Sequence, residues 1–205
     1  LLSELKITDF LARTASSNPV PGGGSVSALG AAMAAALSEM VASITIGRKG
    51  FETYEKEMLE IVQQARSLRE KLSEDIDRDS DAYSQVLAAF RLANDTEEHK
   101  NERSQAVQDG LKQAALIPLG VAKDASELLD LAGKVVTKGN KNAVTDAAVA
   151  AMMARTAILG ALLNVKINLK SIKDLSFVKD VADQVQEIES RVERKEKNIL
   201  AQIDV

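Results

Sequence analysis

The chain predicts an all-α fold, a bundle of long helices in a single domain of residues 1–205, on three observations. Aromatic residues make up only 3% of the 205 positions and there is no Trp, so the core must be built from Ala, Leu, Val, Ile and Met. Strands favour aromatic and β-branched side chains, whereas small and aliphatic ones suit closely packed helices. Of three prolines two fall in one loop, which leaves long stretches free of breakers. Apolar residues then recur three and four apart along most of the length, and no run alternates with the period of a half-buried strand.

Taken in order, Leu5, Ile7, Phe10 and Leu11 mark a short amphipathic helix over residues 3–13. Pro19–Val20–Pro21–Gly22–Gly23–Gly24–Ser25 follows. Its prolines lack an N–H and its glycines cost helix stability, so it reads as a loop outside the helix interior, with Ser25 as the cap of the next helix. That helix runs to about Ile46 through Val26, Leu29, Met33, Leu37, Met40, Val41 and Ile44, with Ala, Ser and Gly between them. It is small or apolar on nearly every face and is expected to be buried on most sides. Gly47–Arg48–Lys49–Gly50 ends it, with basic groups at the negative pole.

A second long helix is predicted over residues 52–94, with an apolar stripe of Met58, Ile61, Ala65, Leu68, Leu72, Ile76, Tyr83, Val86, Leu87 and Phe90. Asp79 falls on that stripe, whereas Asp75, Asp77 and Asp81 fall towards its flanks or away from it. Residues 97–136 read as further helix, which Pro118 should kink or break. A loop over 136–142 leads into a helix over 143–169. One face of it carries Asp146, Ala150, Met153, Ala157, Gly160, Asn164 and Ile167 or Asn168, a groove of small side chains with a carboxylate near one end and amides near the other. The last helix, about 177–203, spaces Val178, Val181, Val185, Ile188, Val192, Lys195 and Ile199 as a heptad seam that pairs helices within or between chains.

Composition excludes several classes of function. A net charge of −4 gives no basic excess for nucleic acid. Without Cys there is no thiol nucleophile, disulfide or Cys-ligated zinc, and the single His99 lies in a polar stretch that reads as a solvated loop. No metal site is expected. Gly22–Gly23–Gly24 lacks the Lys–Ser/Thr of a P-loop, and the aspartates at 75, 77, 79 and 81 sit in a helical pattern without the glycine and terminal Glu of a calcium loop. Nothing reads as a signal peptide. The apolar stretch 26–47 is interrupted by Ser27, Ser38, Glu39, Ser43 and Thr45, so no membrane association and a cytoplasmic location are expected.

The most informative features are carboxylates that face inward. Burial disfavours the charged form and raises the pKa towards the range useful for proton transfer, which makes Asp79 and Asp146 the catalytic candidates. A glycine loop that delivers bare N–H groups to the start of a buried helix is the matching polar-ligand site.

The Pro-x-Pro-Gly-Gly-Gly-Ser-Val loop at 19–26, the Gly47–Arg48 helix end, the Asp77-x-Asp79-x-Asp81-Ala82-Tyr83 run, Gly139–Asn140 with Thr145–Asp146, and Asn164–Val165–Lys166–Ile167–Asn168–Leu169 occur in this order over nearly the whole chain. Together they resemble the formiminotransferase-cyclodeaminase C-terminal domain family, which includes bacterial methenyltetrahydrofolate cyclohydrolases. The resemblance implies an all-helical homodimer with a folate site in the groove between subunits. It implies a place in one-carbon metabolism, as in histidine degradation, with conversion of 5-formiminotetrahydrofolate to 5,10-methenyltetrahydrofolate and ammonia. The alternatives are the cyclohydrolase reaction and a non-catalytic folate-binding or assembly protein. No cofactor beyond the tetrahydrofolate substrate, with or without a polyglutamate tail, is implied. Asp79 or Asp146 would shuttle the proton. Asn140, Asn164 and Asn168 would bond the pterin or the reacting centre, Gly22, Gly23, Gly24 and Ser25 would present backbone N–H groups, and Pro21 would belong to the same substrate-binding loop. Arg48, Lys138 and Lys141 would meet the glutamate carboxylates, with Tyr83 and Gly139 completing the substrate-binding set. Ile46 stands where many relatives have Tyr, a departure that bears on recognition.

Overall fold

The structure is a computed structural model that describes residues 1–204. Six α-helices account for most of the chain: α1 Ile7–Thr14, α2 Gly23–Ser43, α3 Glu55–Phe90, α4 Glu97–Lys138, α5 Val144–Leu169 and α6 Leu175–Leu200. Short 3-10 turns, Glu52–Tyr54 and Lys141–Ala143, precede α3 and α5, and no strand occurs among the described residues. The helical reading therefore holds, with ends displaced by a few residues. At the end of α2, Gly47 and Gly50 take φ of 69° and 90°, a left-handed backbone that only glycine adopts freely.

The core is organised around α2 and α5, which are enclosed by α3 and α4. Ala28, Ala31, Ala34 and Ala35 of α2 and Ala147, Ala150, Ala151, Ala154 and Ala161 of α5 are fully buried. Side chains this small bring helix backbones close, and the larger core members Met58, Ile61, Leu72, Leu128, Leu129, Ile158 and Leu162 fill the space around them. A second apolar cluster, built from Ala82, Val86, Val107, Leu111, Ala115 and Ile172, closes the end of the bundle where α3 turns into α4.

α2 and the segment Lys141–Leu169 are long and apolar enough, by length and composition, to cross a membrane, contrary to the reading that no run qualifies; in this fold half or more of each is buried among other helices. The heptad seam of α6 is satisfied within the chain. Val181, Val185, Val192 and Ile199 join the main core, and Lys195 pairs with Asp130 of α4. That seam is accordingly not available for pairing between chains.

Two further expectations need correction. His99 is not in a loop but in the first turn of α4, where Thr96 caps its N–H and its ring bonds Asp95. Pro118 does not break α4, which runs unbroken through it. A helical proline leaves the carbonyl four residues earlier without its donor. Here that carbonyl belongs to Ala114, and the Asn168 side-chain amide of α5 donates to it at 2.8 Å. Asn168 thereby holds α5 against α4. Replacing Asn168 by Leu should leave a buried carbonyl unpaired and cost about 1–3 kcal/mol in urea unfolding; a loss within error would show that water supplies the missing donor.

Candidate functional site

The N-terminus of α2 and the middle of α3 meet at one carboxylate. Gly23 and Gly24 belong to the first turn of the helix, with Gly22 as the N-cap residue, so the glycine loop extends further into the helix than its composition suggests. N–H groups of a first turn have no intrahelical partner. Asp79 lies against them. The Ser25 hydroxyl, fully buried, donates to Asp79 Oδ2 at 2.9 Å, and the Ser25 N–H also donates to this carboxylate. Ser25 therefore does not cap its own helix through its side chain; it holds a residue 54 positions away.

The glycines are explained by this contact. A Cβ on Gly24 would run into the Asp79 carboxylate, and one on Gly23 would lie 3.1 Å from Asn164 Nδ2. Asn164 donates to the Gly160 carbonyl at 2.9 Å and so stands on α5 facing the glycine turn. Pro21, buried after a cis Val20–Pro21 bond, ends the loop that leads there. One helical turn beyond Asp79 on α3, Tyr83 is 40% exposed.

Burial raises the Asp79 pKa above the ordinary carboxylate value, and the two donations from Ser25 oppose that shift without cancelling it. The neighbouring aspartates behave otherwise. Burial also pushes Asp77 up, but the Ser3 hydroxyl and the Leu2 and Ser3 N–H groups outweigh it and leave its pKa lowered, so Asp77 ties down the chain's first residues. Asp75, read as a flanking residue, is in fact only 2% exposed. Burial raises its pKa despite the Arg78 guanidinium at 2.6 Å, and Asp124, held by Lys71, adds to the rise. The signal for Asp75 was present in its three-residue step from Leu72.

The remaining predicted residues gather at the opposite end of α2 and α5. Asn140 is buried, its N–H donates to Thr45 Oγ1 at 2.9 Å and its side-chain oxygen accepts from the Asn142 N–H, so it shapes the turn between α4 and α5. Gly139, also buried, packs against Val41 and the Val135 carbonyl. Lys138 is held by Glu57 at 2.7 Å, and Lys141 donates to the Thr137 carbonyl at the end of α4. Both lysines thus have partners within the chain, while Arg48 is exposed. Asp146 is half-buried in the first turn of α5 and makes no hydrogen bond or ion pair among the described residues. Asp79 is also half-buried, but it has the Ser25 hydroxyl as a partner, which Asp146 lacks among the described residues. Asp146 and Asn164 are 18 residues apart on one helix, about 27 Å at 1.5 Å per residue. Within one chain the Asp79 and Asp146 ends do not form one site.

Comparison with known proteins decides the lineage of this arrangement. A family model for formiminotransferase-cyclodeaminase matches residues 6–187. The chain belongs to the formiminotransferase-cyclodeaminase family. Among its relatives is the methenyltetrahydrofolate cyclohydrolase of Methylorubrum extorquens, 37% identical over 85% of this chain and 84% of that protein. The formimidoyltransferase-cyclodeaminase of Sus scrofa is 35% identical over 87% of this chain, which spans about a third (33%) of that longer protein. The crystal structure of formiminotetrahydrofolate cyclodeaminase from Thermotoga maritima superposes with a TM-score of 0.89 at 32% identity, covering 99% of this chain and 98% of that one. The family and these relatives make the chain a folate one-carbon enzyme of the cyclodeaminase/cyclohydrolase group.

The electrostatics can be tested by the pH dependence of stability. Because the folded-state pKa of Asp79 is raised, its contribution is most favourable below the unfolded value and is lost as pH rises through the folded value. Asp79→Asn should melt at or above the wild-type temperature at pH 7, with the difference closing on acidification below the ordinary carboxylate range. Asp77 has the opposite sign: its stabilisation is present above the unfolded value and is lost as pH falls through the lowered one. Asp77→Asn should therefore melt lower at pH 7 and converge with wild type in acid. Melting curves from pH 3 to 8 check both, and matching profiles for the two variants would contradict the assignment.

Proposed function

We propose that this chain is a formiminotetrahydrofolate cyclodeaminase, acting in the cytoplasm as a two-fold homodimer, with Asp79 as its proton-transfer group. The observation that carries the reading is a half-buried carboxylate with a raised pKa, fixed beside Ser25 and Asn164 at the start of α2. Closing 5-formiminotetrahydrofolate requires N10 to attack the formimino carbon and lose its proton, while the departing nitrogen must gain one to leave as ammonia. A single carboxyl group performs both transfers in turn. It accepts the N10 proton as the tetrahedral centre forms and returns a proton to the nitrogen as that centre collapses to the 5,10-methenyl product. A pKa above the ordinary carboxylate range suits both roles. The Asn164 amide would orient the substrate, the first-turn N–H groups of Gly23 and Gly24 would face its polar edge, and Tyr83 would pack against it. The reading calls for no cofactor beyond the folate.

The dimer is supported by an unpartnered apolar face. Val26, Met33 and Met40 of α2, Ile44 just after it, and Val149, Met152, Leu163 and Ile167 of α5 are exposed, with Leu163 at 65% and Ile167 at 58%. A groove of about 420 Å³ between Val26, Gly30, Met152 and Thr156 runs through this face. Contiguous apolar surface of this kind marks association sites. A two-fold axis across it, with α2 and α5 antiparallel to their copies, would bring the Asp79 end of one protomer to the Asp146 end of the other. Residues separated within one chain would then share one site, with Arg48 and Asp146 supplied by the partner.

A second reading is favoured by the 37% identity to the stand-alone cyclohydrolase of M. extorquens. There water replaces N10 as the attacking group and Asp79 acts as its base, converting the methenyl form to 10-formyltetrahydrofolate. An assay at the methenyltetrahydrofolate absorption band separates the readings. Growth of the band from 5-formiminotetrahydrofolate with ammonia release identifies the deaminase. Accelerated loss of the band from methenyltetrahydrofolate alone identifies the hydrolase, and silence in both leaves a folate-binding or assembly protein. Asp79→Asn should lower kcat about a hundredfold or more with the fold intact; wild-type turnover in that variant would sink the proton-transfer role. Met152→Glu should sediment as a monomer and lose turnover, and a fully active monomer would overturn the shared site.

A further inference from the structure

We propose that the end of the bundle between α3, α4 and the α5–α6 turn is the subsite for the acidic end of the substrate, with Arg103 and Lys173 as its anion-binding residues. The proposal rests on the reading of the substrate as a tetrahydrofolate derivative, whose p-aminobenzoyl arm ends in glutamyl carboxylates.

The first ground is charge. A cavity of about 460 Å³ is floored by Val107 and Leu111 and edged by Phe90, Lys100, Arg103 and Lys173, and no carboxylate lines it. In a chain with a net charge of −4 such a concentration of one sign is unusual. Lys100 has an exposed ion pair with Glu97, whereas Arg103 and Lys173 have no carboxylate partner among the described residues. Of the cations expected to meet the substrate's carboxylates, Lys138 pairs with Glu57 and Lys141 with the Thr137 carbonyl at the other end of the molecule, where Arg48 is exposed.

The second ground is alignment with the reacting carboxylate. Asp79, Tyr83 and Phe90 are four and seven residues apart and share one stripe of α3. Asp79 and Phe90 are 11 residues apart, about 16 Å along the helix. A parallel series of contacts runs along α4 and α5: Asn168 bonds the Asn164 and Ala114 carbonyls, and Gln108 accepts from the Lys173 N–H at 2.7 Å while donating to the Ser171 carbonyl. The Gln108 clamp fixes the backbone that carries Lys173. An elongated ligand with its reacting end at Asp79 would lay its aromatic ring along Tyr83 and Phe90 and direct its carboxylates at Arg103 and Lys173. Guanidinium–carboxylate pairing is the strong, directional contact such a group seeks.

The test is NMR of the full chain titrated with p-aminobenzoyl-glutamate, with inorganic phosphate as the control anion. Expected are shifts of the Val107 and Leu111 methyl signals that vanish in Arg103→Ala and in Lys173→Ala, and no comparable response to phosphate. No shift at these methyls, an equal response to phosphate, or shifts confined to the Arg48 and Lys141 end overturn the proposal. Lys173 is on an exposed turn, so its variant keeps the test decisive should Arg103→Ala fail to fold. In the turnover assay Arg103→Ala should raise KM about tenfold with a much smaller effect on kcat, and an unchanged KM also overturns the subsite. The titration does not depend on turnover. A chain inert towards both folates that still shows these shifts would therefore refute the enzymatic reading and keep the subsite.

Discussion

Everything in the candidate site follows from the demand that a carboxylate be placed against the start of a helix already packed into the core. The α2 N-terminus offers N–H groups that no carbonyl of the same helix reaches, and Asp79 fills that vacancy from α3. The contact is close enough to forbid a side chain at Gly24, and its geometry is completed by a serine hydroxyl that has no exposure of its own. Burial and hydrogen bonding act on the carboxyl in opposite senses. The result is an acid held in place as firmly as a structural residue, yet retaining a proton more readily than one in water would.

That constraint explains why the surrounding helices are made of small side chains. If α2 is to present its end to α3 while its length stays enclosed, its neighbours must approach closely on several sides, and alanine permits this at positions 28, 31, 34 and 35. The same enclosure leaves one face uncovered, where Met33, Met40, Met152 and Ile167 meet solvent. The core is therefore finished within the chain at α6, while an apolar face along α2 and α5 stays exposed.

Much of this was readable from the residues because it depends on local spacing. The helices, the Ala-rich packing, the break in helix up to Gly22 and the place of Asp79 on the core-facing stripe of α3 all follow from periods of three and four and from the chemistry of glycine and proline. What spacing could not supply were partners distant in the chain. Nothing near Ser25 announces Asp79, so a cap was the natural reading of that hydroxyl. Asp146 repeats at helical intervals with buried alanines, yet its place in the first turn of α5 leaves it half-exposed. Lys138 looked free because Glu57 is 81 residues away. Arg103 and Lys173 gave no signal at all, since a charge on a helix or turn reads as solvated until the fold puts it beside another.

Pro118 and Asn168 form the clearest case of two positions that have meaning only together. A chain that acquired the proline first would have carried an unanswered carbonyl inside its second core cluster. One that acquired the asparagine first would have kept the Asn164 carbonyl as a partner for its amide. The proline-first order alone passes through an unpaired carbonyl, so it is the proline that depends on the asparagine. Any attempt to rebuild this bundle on another helical sequence would have to place the asparagine before, or together with, the proline.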